Sequence, residues 1–272
     1  MYLGIDIGGT KTLIASLTNE GVITESRKFP TPPNYLDFLR ELATNVANLS
    51  TKEFIAAGVA IPGKLDRKHG IGEAFGNLAW RNVPIQRDVH RMLRIPVVIE
   101  NDANLAGLSE SMLIKQHACV LYVTVSTGIG TGIITDCRID PEFADSEGGH
   151  IMLEHKGKLE MWEHFASGSA IVRRFGKRAS EINDVHTWKI IAHDIAYGLY
   201  DLIAFIEPDA IVLGGGVMEH LDKFDDLLDR ELAALHTPLT PIPPIYRAQR
   251  PNEAVVYGCY DLARSVYGSA RH

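Results

Sequence analysis

Three observations predict an α/β chain of two lobes. A glycine-rich strand–turn–strand occurs twice, as Gly4-Ile5-Asp6-Ile7-Gly8-Gly9-Thr10-Lys11-Thr12 near the start and Thr124-Val125-Ser126-Thr127-Gly128-Ile129-Gly130-Thr131-Gly132 in the middle. Buried-type apolar runs alternate with segments of three-and-four apolar spacing, the pattern of strands interleaved with helices. At 272 residues and 46% hydrophobic content, the chain can fill two cores. The expected boundaries are 1–116 for the first lobe, rejoined by a C-terminal helix within 253–272, and 117–252 for the second.

The first lobe opens with strands expected at Leu3–Ile7, Leu13–Leu17 and Val22–Phe29, before Pro30, Pro32 and Pro33 interrupt regular structure. Leu36, Leu39, Ala43, Val46 and Leu49 then mark one face of a helix, with Asn34 placed to cap it. Phe54–Ile61 reads as a buried strand stopped by Pro62-Gly63. Val97–Glu100 is another, running into Asn101-Asp102-Ala103-Asn104 and a helix to about Lys115. The second lobe restarts with strands at Cys119–Ser126 and Ile129–Thr135. Helices are expected near Trp162–Phe165 and over Thr187–Ile206, then a short strand Ala210–Leu213 that ends in Gly214-Gly215-Gly216. Two acidic helices cover Val217–Leu235. In the last helix, Glu253–Val266, Gly258 stands where a side chain would clash.

Composition excludes several classes. A net charge of −7 without a basic stripe argues against a general nucleic-acid binder. Cys119, Cys137 and Cys259 form no Cys-x-x-Cys pair and fit buried thiols of a reducing cytosol. No apolar run approaches the roughly 20 residues that span a bilayer, and no signal peptide is evident. The expectation is a soluble cytoplasmic protein.

The chemistry begins at the two hairpins. Turn amides and hydroxyls can converge on an anion, and glycine lets the backbone come close to it. An ordinary hairpin turn is the alternative for either copy alone. The acidic Asp6 inside an apolar strand and the repeated Gly-Thr pairing favour two halves gripping one polyphosphate, the layout of a nucleotide-dependent phosphotransferase. Neither segment matches the Walker pattern or the dinucleotide glycine fingerprint.

The ordered set of motifs resembles the ROK family of sugar kinases, and the likeness runs almost end to end. It is carried by Asp6-Ile7-Gly8-Gly9-Thr10-Lys11, Pro62-Gly63, Gly76-Asn77-Leu78, Glu100-Asn101-Asp102-Ala103-Asn104 and Thr127-Gly128-Ile129-Gly130-Thr131-Gly132. Glu147-Gly148-Gly149-His150, Glu163-His164-Phe165-Ala166-Ser167-Gly168 and Gly214-Gly215-Gly216 complete it. The resemblance implies a two-lobed actin-like ATPase (ribonuclease H-like) fold with a central cleft. It also implies an ATP-dependent hexose kinase acting as a homodimer, with O6 of glucose as the default acceptor. N-acetylmannosamine, N-acetylglucosamine, mannose and fructose are the alternative sugars, and polyphosphate is an alternative donor.

By the same resemblance Asp102 is the general base, while a capping role for Asp102 or Asn101 at the following helix is the local alternative. Asn77, Asn101, Asp102, Glu147, His150 and Glu163 match the positions that contact sugar. Asp6 would hold Mg²⁺ through water. Gly8, Gly9, Thr10 and Lys11, with Thr127, Gly128, Gly130 and Thr131, would bind the terminal phosphates. Gly214, Gly215 and Gly216, at a strand end before a helix start, would face the nucleoside or its phosphates.

One departure stands out. ROK kinases carry a cysteine-rich zinc loop shortly after the Glu-x-Gly-His motif, but Ile151 to Trp162 contains no cysteine. Structural zinc needs four ligands, and His155 and His164 read as isolated surface histidines. No structural zinc is expected. A sugar-responsive transcription factor of the same family is the main competing class, but it would need a helix-turn-helix segment ahead of Asp6. A non-catalytic sugar-binding regulator is another competitor, opposed by the intact Asp102.

Overall fold

The computed structural model describes residues 1–268. The end of the expected segment 253–272 therefore lies outside the described residues. The chain divides into two compact units, one of residues 1–109 with 252 onward, the other of residues 110–251.

The first unit starts with β1 (Tyr2–Ile7), β2 (Lys11–Leu17) and β3 (Ile23–Pro30), an antiparallel meander. Helix α1 (Tyr35–Ala47) follows, and the Asn34 side chain accepts from the amides of Leu36 and Asp37 at its start. That satisfies two of the donors a helix leaves unpaired. Next come β4 (Ala56–Ile61), a small antiparallel sheet of β5 (Leu65–Asp66), β6 (Ile71–Phe75) and β7 (Leu78–Val83), and helix α2 (Ile85–Leu93). Strand β8 (Val97–Asn101) then runs directly into α3 (Asp102–Ser111). The main sheet has the order β3-β2-β1-β4-β8, with β4 and β8 parallel to β1. Every residue of β4 is buried, which explains its unbroken apolar sequence.

The second unit repeats that order. It contains β9 (Cys119–Val125), β10 (Ile129–Thr135), β11 (Arg138–Ile139) and a hairpin of β12 (Met152–His155) and β13 (Lys158–Met161). Helices α4 (Trp162–Ala166), α5 (Gly168–Phe175) and α6 (Val185–Ile206) follow, then β14 (Ala210–Gly214), α7 (Asp225–Leu235) and β15 (Ile245–Arg247). The sheet order is β11-β10-β9-β14-β15, again an antiparallel meander extended by parallel strands. The glycine hairpins thus mark a duplicated sheet topology. Helix α8 (Ala254–Tyr267) returns the chain to the first unit, where it covers β1 and β4.

Several expected elements shift. Helix α3 ends at Ser111 rather than Lys115, and one of the two acidic helices is a short 3-10 segment, Met218–Lys223. The β5–β7 sheet, α2 and the β12–β13 hairpin had no expected counterpart. Their strands are short and carry few consecutive apolar residues, so periodicity gives them little signal.

Candidate active site

In the first unit, the turn between β1 and β2 is held by backbone geometry. The Gly8 amide donates to the Lys11 carbonyl at 3.0 Å. A Cβ on Gly8 would lie 2.6 Å from that same oxygen, so the turn needs glycine there. Thr31 braces the turn from β3's far end. Its hydroxyl donates to the Gly8 carbonyl at 2.7 Å and its amide to the Thr10 carbonyl at 2.9 Å, and Thr12 shares the hydroxyl at 2.9 Å. Gly9, Thr10 and Lys11 are exposed, so their donors are available to a ligand. Asn77 is a neighbour of this turn, since a Cβ on Gly9 would lie 3.7 Å from its own. Thr31 was not legible in advance, because its role depends on a contact 23 residues away.

Asp6 sits at the end of β1, where burial pushes its carboxyl from an ordinary 3.8 to about 7. The negative charge of Asp102 adds to the rise and Lys28 opposes it. Two carboxylates, one on strand β1 and one at the start of helix α3, therefore influence one another in a poorly solvated place. Across the window from about pH 3.8 to about 7, the folded chain holds a proton that the unfolded chain has lost. Stability of the metal-free protein must then fall as pH rises through that window. Asp6→Asn, which cannot ionise, is expected to melt roughly 5–10 °C higher than the parent at pH 8 in EDTA, with the gap narrowing at pH 5. Equal melting at pH 8 would mean that water solvates the Asp6 charge.

At the junction of β8 and α3, Asn101 is the cap. Its side-chain oxygen accepts from the amides of Ala103 at 2.8 Å and Asn104 at 3.2 Å, and its NH2 donates to the Gly63 carbonyl at 3.2 Å. That leaves one N–H of Asn101 for a substrate. One Asp102 oxygen also accepts from Ala103, at 2.9 Å. Asn101 and Asp102 thus share the capping of this helix start.

In the second unit, Thr127 is exposed at the tip of the β9–β10 turn, which closes through a Ser126 amide to Gly128 carbonyl bond of 2.9 Å. The Glu163 carboxylate lies against this turn. It accepts from the Ile129 amide at 3.3 Å, and a Cβ on Gly128 would lie 2.6 Å from its oxygen. His150 Nε2 is 3.5 Å from the other Glu163 oxygen. Burial raises the Glu147 carboxyl above the usual range; His150 offsets this and Glu163 reinforces it. Glu147, His150 and Glu163, spread over 17 residues of sequence, therefore form one polar cluster beside Thr127 and Gly128.

Three placements differ from the sequence reading. Thr131 is buried, and its hydroxyl accepts from the Gly148 amide at 3.0 Å, tying β10 to the Glu147 segment. The segment after Gly214, Gly215 and Gly216 is the six-residue 3-10 turn, bent at His220, so it offers no helix dipole of any length. Gly215 instead answers a backbone need, with φ of +89° against the Val125 carbonyl. His155 is no surface residue. Its side chain is 14% exposed, stacked on Phe165 at 4.3 Å and bonded to Glu160 at 2.7 Å. Asp194 lies 3.7 Å from its other nitrogen and pairs with Arg174 at 2.6 Å. This polar set joins the β12–β13 hairpin to α5 and α6. His164 is exposed as expected. Among the described residues, no group of three or more His, Cys, Asp or Glu is arranged to hold a metal ion. Among the same residues, no helix is long and apolar enough to cross a membrane.

The sequence profile of the ROK family matches residues 2–266. The chain belongs to the ROK family. It is 28% identical to a glucokinase of Streptomyces coelicolor, over 97% of this chain and 98% of that one. It is 31% identical to a putative fructokinase of Bacillus subtilis, over 82% and 80% of the respective chains. Among solved structures, it is similar to a ROK family glucokinase from Streptomyces griseus in complex with glucose and AMPPNP. That match has a TM-score of 0.83 and 28% identity, and covers 97% of this chain and 99% of that one. This ROK chain is a sugar kinase with the two-lobed actin-like ATPase fold.

Proposed function

We propose that this ROK sugar kinase transfers the terminal phosphoryl group of ATP to O6 of glucose, with Asp102 as general base. The observation that carries the reading is the Asp102 carboxylate, fixed where a buried strand becomes a helix and electrostatically coupled to Asp6. Phosphoryl transfer needs a group to accept the hydroxyl proton and charge neutralisation around the moving phosphoryl. Asp102 accepts the O6 proton as the oxygen attacks. Asn77 and the spare N–H of Asn101 bind sugar hydroxyls, as do Glu147, His150 and Glu163. Groups of this kind discriminate by hydroxyl pattern, because each unmatched polar group is costly.

The β1–β2 turn of Gly8, Gly9, Thr10 and Lys11, whose last three residues are exposed, and the β9–β10 turn of Thr127, Gly128 and Gly130 bind the donor's terminal phosphates, the Gly8 amide itself being spent on the Lys11 carbonyl. Gly214, Gly215 and Gly216 lie along the nucleotide. Asp6 fits a divalent cation, since an enclosed carboxylate with a second carboxylate nearby is relieved by positive charge. Mg²⁺ held there through water would neutralise phosphate charge. The cysteine-free hairpin, braced by His155, Glu160, Asp194 and Arg174, takes no structural zinc in this reading. By family resemblance the enzyme is a cytoplasmic homodimer.

Fructose is the second reading, supported by the 31% identity to the putative fructokinase. A coupled assay of glucose, fructose, mannose and the two N-acetylhexosamines, each with Mg-ATP or polyphosphate, decides between them. Glucose with ATP is expected to give the highest kcat/KM. A tenfold preference for fructose would replace the glucose assignment, and ADP release indifferent to all sugars would end the kinase reading.

A further inference from the structure

Arg67 lies in the turn between β5 and β6, outside every motif that marks the site. Its guanidinium grips Glu100 with two parallel bonds, Nε to Oε2 at 2.7 Å and Nη2 to Oε1 at 2.5 Å. The Glu100 side chain is 7% exposed. The same Oε1 also accepts from the Asn101 amide at 2.7 Å and from the Asn104 side chain at 3.0 Å. One buried carboxylate thus joins the Arg67 turn to the residues on both sides of Asp102. The Asn101 bond to the Gly63 carbonyl adds a second tie from the base turn to the start of the same small sheet. That sheet also carries Asn77, in the turn between β6 and β7.

We propose that Arg67 is a positioning residue, which acts through Glu100 to set the Asn101–Asp102 turn against the Asn77 turn. The inference rests on the assignment of Asp102 as the base. The forked guanidinium fixes direction as well as distance, which a single ammonium cannot do. Glu100 is buried, with 7% of its side chain exposed, so little water can replace a lost partner. When Arg67 is removed, the carboxylate turns towards its remaining donors, which belong to the base turn itself. The base and the Asn77 amide then lose their common alignment, and a displacement of about 1 Å at a reacting group can cost on the order of a hundredfold in rate.

The test compares Arg67→Ala, Arg67→Lys and Asp102→Asn, with steady-state kinetics against sugar and ATP separately. Arg67→Ala is expected to lower kcat at least about tenfold with the KM for ATP within twofold of the parent. Added guanidinium ion should restore part of that loss. A kcat within twofold of the parent would overturn the proposal, as would a loss that guanidinium leaves untouched or that is matched by a rise in the KM for ATP. Should the alanine variant not fold, Arg67→Lys carries the test. A partial fall in kcat with an unaltered KM for ATP supports positioning, and an unaltered kcat overturns it. Asp102→Asn separates the two claims: if it turns over normally the base assignment fails, whatever Arg67 does.

Discussion

Replacing Asp102 by asparagine is expected to lower kcat by roughly a hundredfold or more while leaving sugar affinity within a few-fold of the parent. Asparagine keeps the size of the side chain and an oxygen for the Ala103 amide, which aspartate now serves at 2.9 Å. The helix start should therefore survive, because Asn101 supplies the principal cap through its bonds to Ala103 and Asn104. What disappears is the ability to take the hydroxyl proton. Sugar binding measured by calorimetry and turnover measured by coupled assay together separate loss of a base from loss of a ligand. Near-normal turnover would remove Asp102 from the mechanism. An equal fall in sugar affinity would make it a binding group.

A comparable expectation for stability falls on Gly258. Helix α8 lies so close to α3 that a Cβ on Gly258 would overlap the backbone carbonyl of Leu105. Gly58 meets the Cys259 carbonyl in the same way, and a Cβ on Gly4 would lie 2.9 Å from the Val256 carbonyl. All of these obstacles are backbone atoms, which cannot turn aside like the end of a flexible side chain. Gly258→Val is expected to destabilise the first unit by about 3 kcal/mol or more, through overpacking. In urea this would appear as an earlier first transition, accompanied by loss of hydrogen-exchange protection in α8. Gly216→Ala is the control, because nothing lies within 4 Å of a Cβ there. Its stability should change by no more than about 1 kcal/mol. A valine variant as stable as this control would show that α8 can back away at little cost.

Much of the architecture was legible because it is written locally. The alternation of apolar strands and helix-spaced segments gave β1–β4, β8–β10, α6 and β14 to within a few residues. Asn34 could be read as a cap from its place before the helical spacing, and it bonds the two amides expected of one. The doubled glycine hairpin pointed to a repeated plan, and the two five-stranded sheets share one strand order. Gly258 could be flagged as intolerant of a side chain, although its neighbour Leu105 could not be named.

Contacts between distant residues were decided only by tertiary structure. Spacing along the chain says nothing of Asp6 sensing Asp102, 96 residues apart, because the parallel pairing of β1, β4 and β8 brings the ends of those strands to one side of the sheet. Thr131 sits in a glycine-threonine motif and reads as a phosphate ligand. The pleat instead turns it inward to the Gly148 amide, since alternate residues of a strand face opposite sides. His155 reads as a surface residue because its sequence neighbours are polar. It is enclosed because Phe165, Glu160 and Asp194 converge on it from three other elements. Arg67 carries no local signal at all, since its meaning lies in a buried carboxylate 33 residues away. The sequence alone therefore determined the order of strands, helices and glycine turns, which short-range propensity and periodicity govern. Which side chains meet was left to the folded chain, where burial removes water and makes each polar group depend on the partner that the packing supplies.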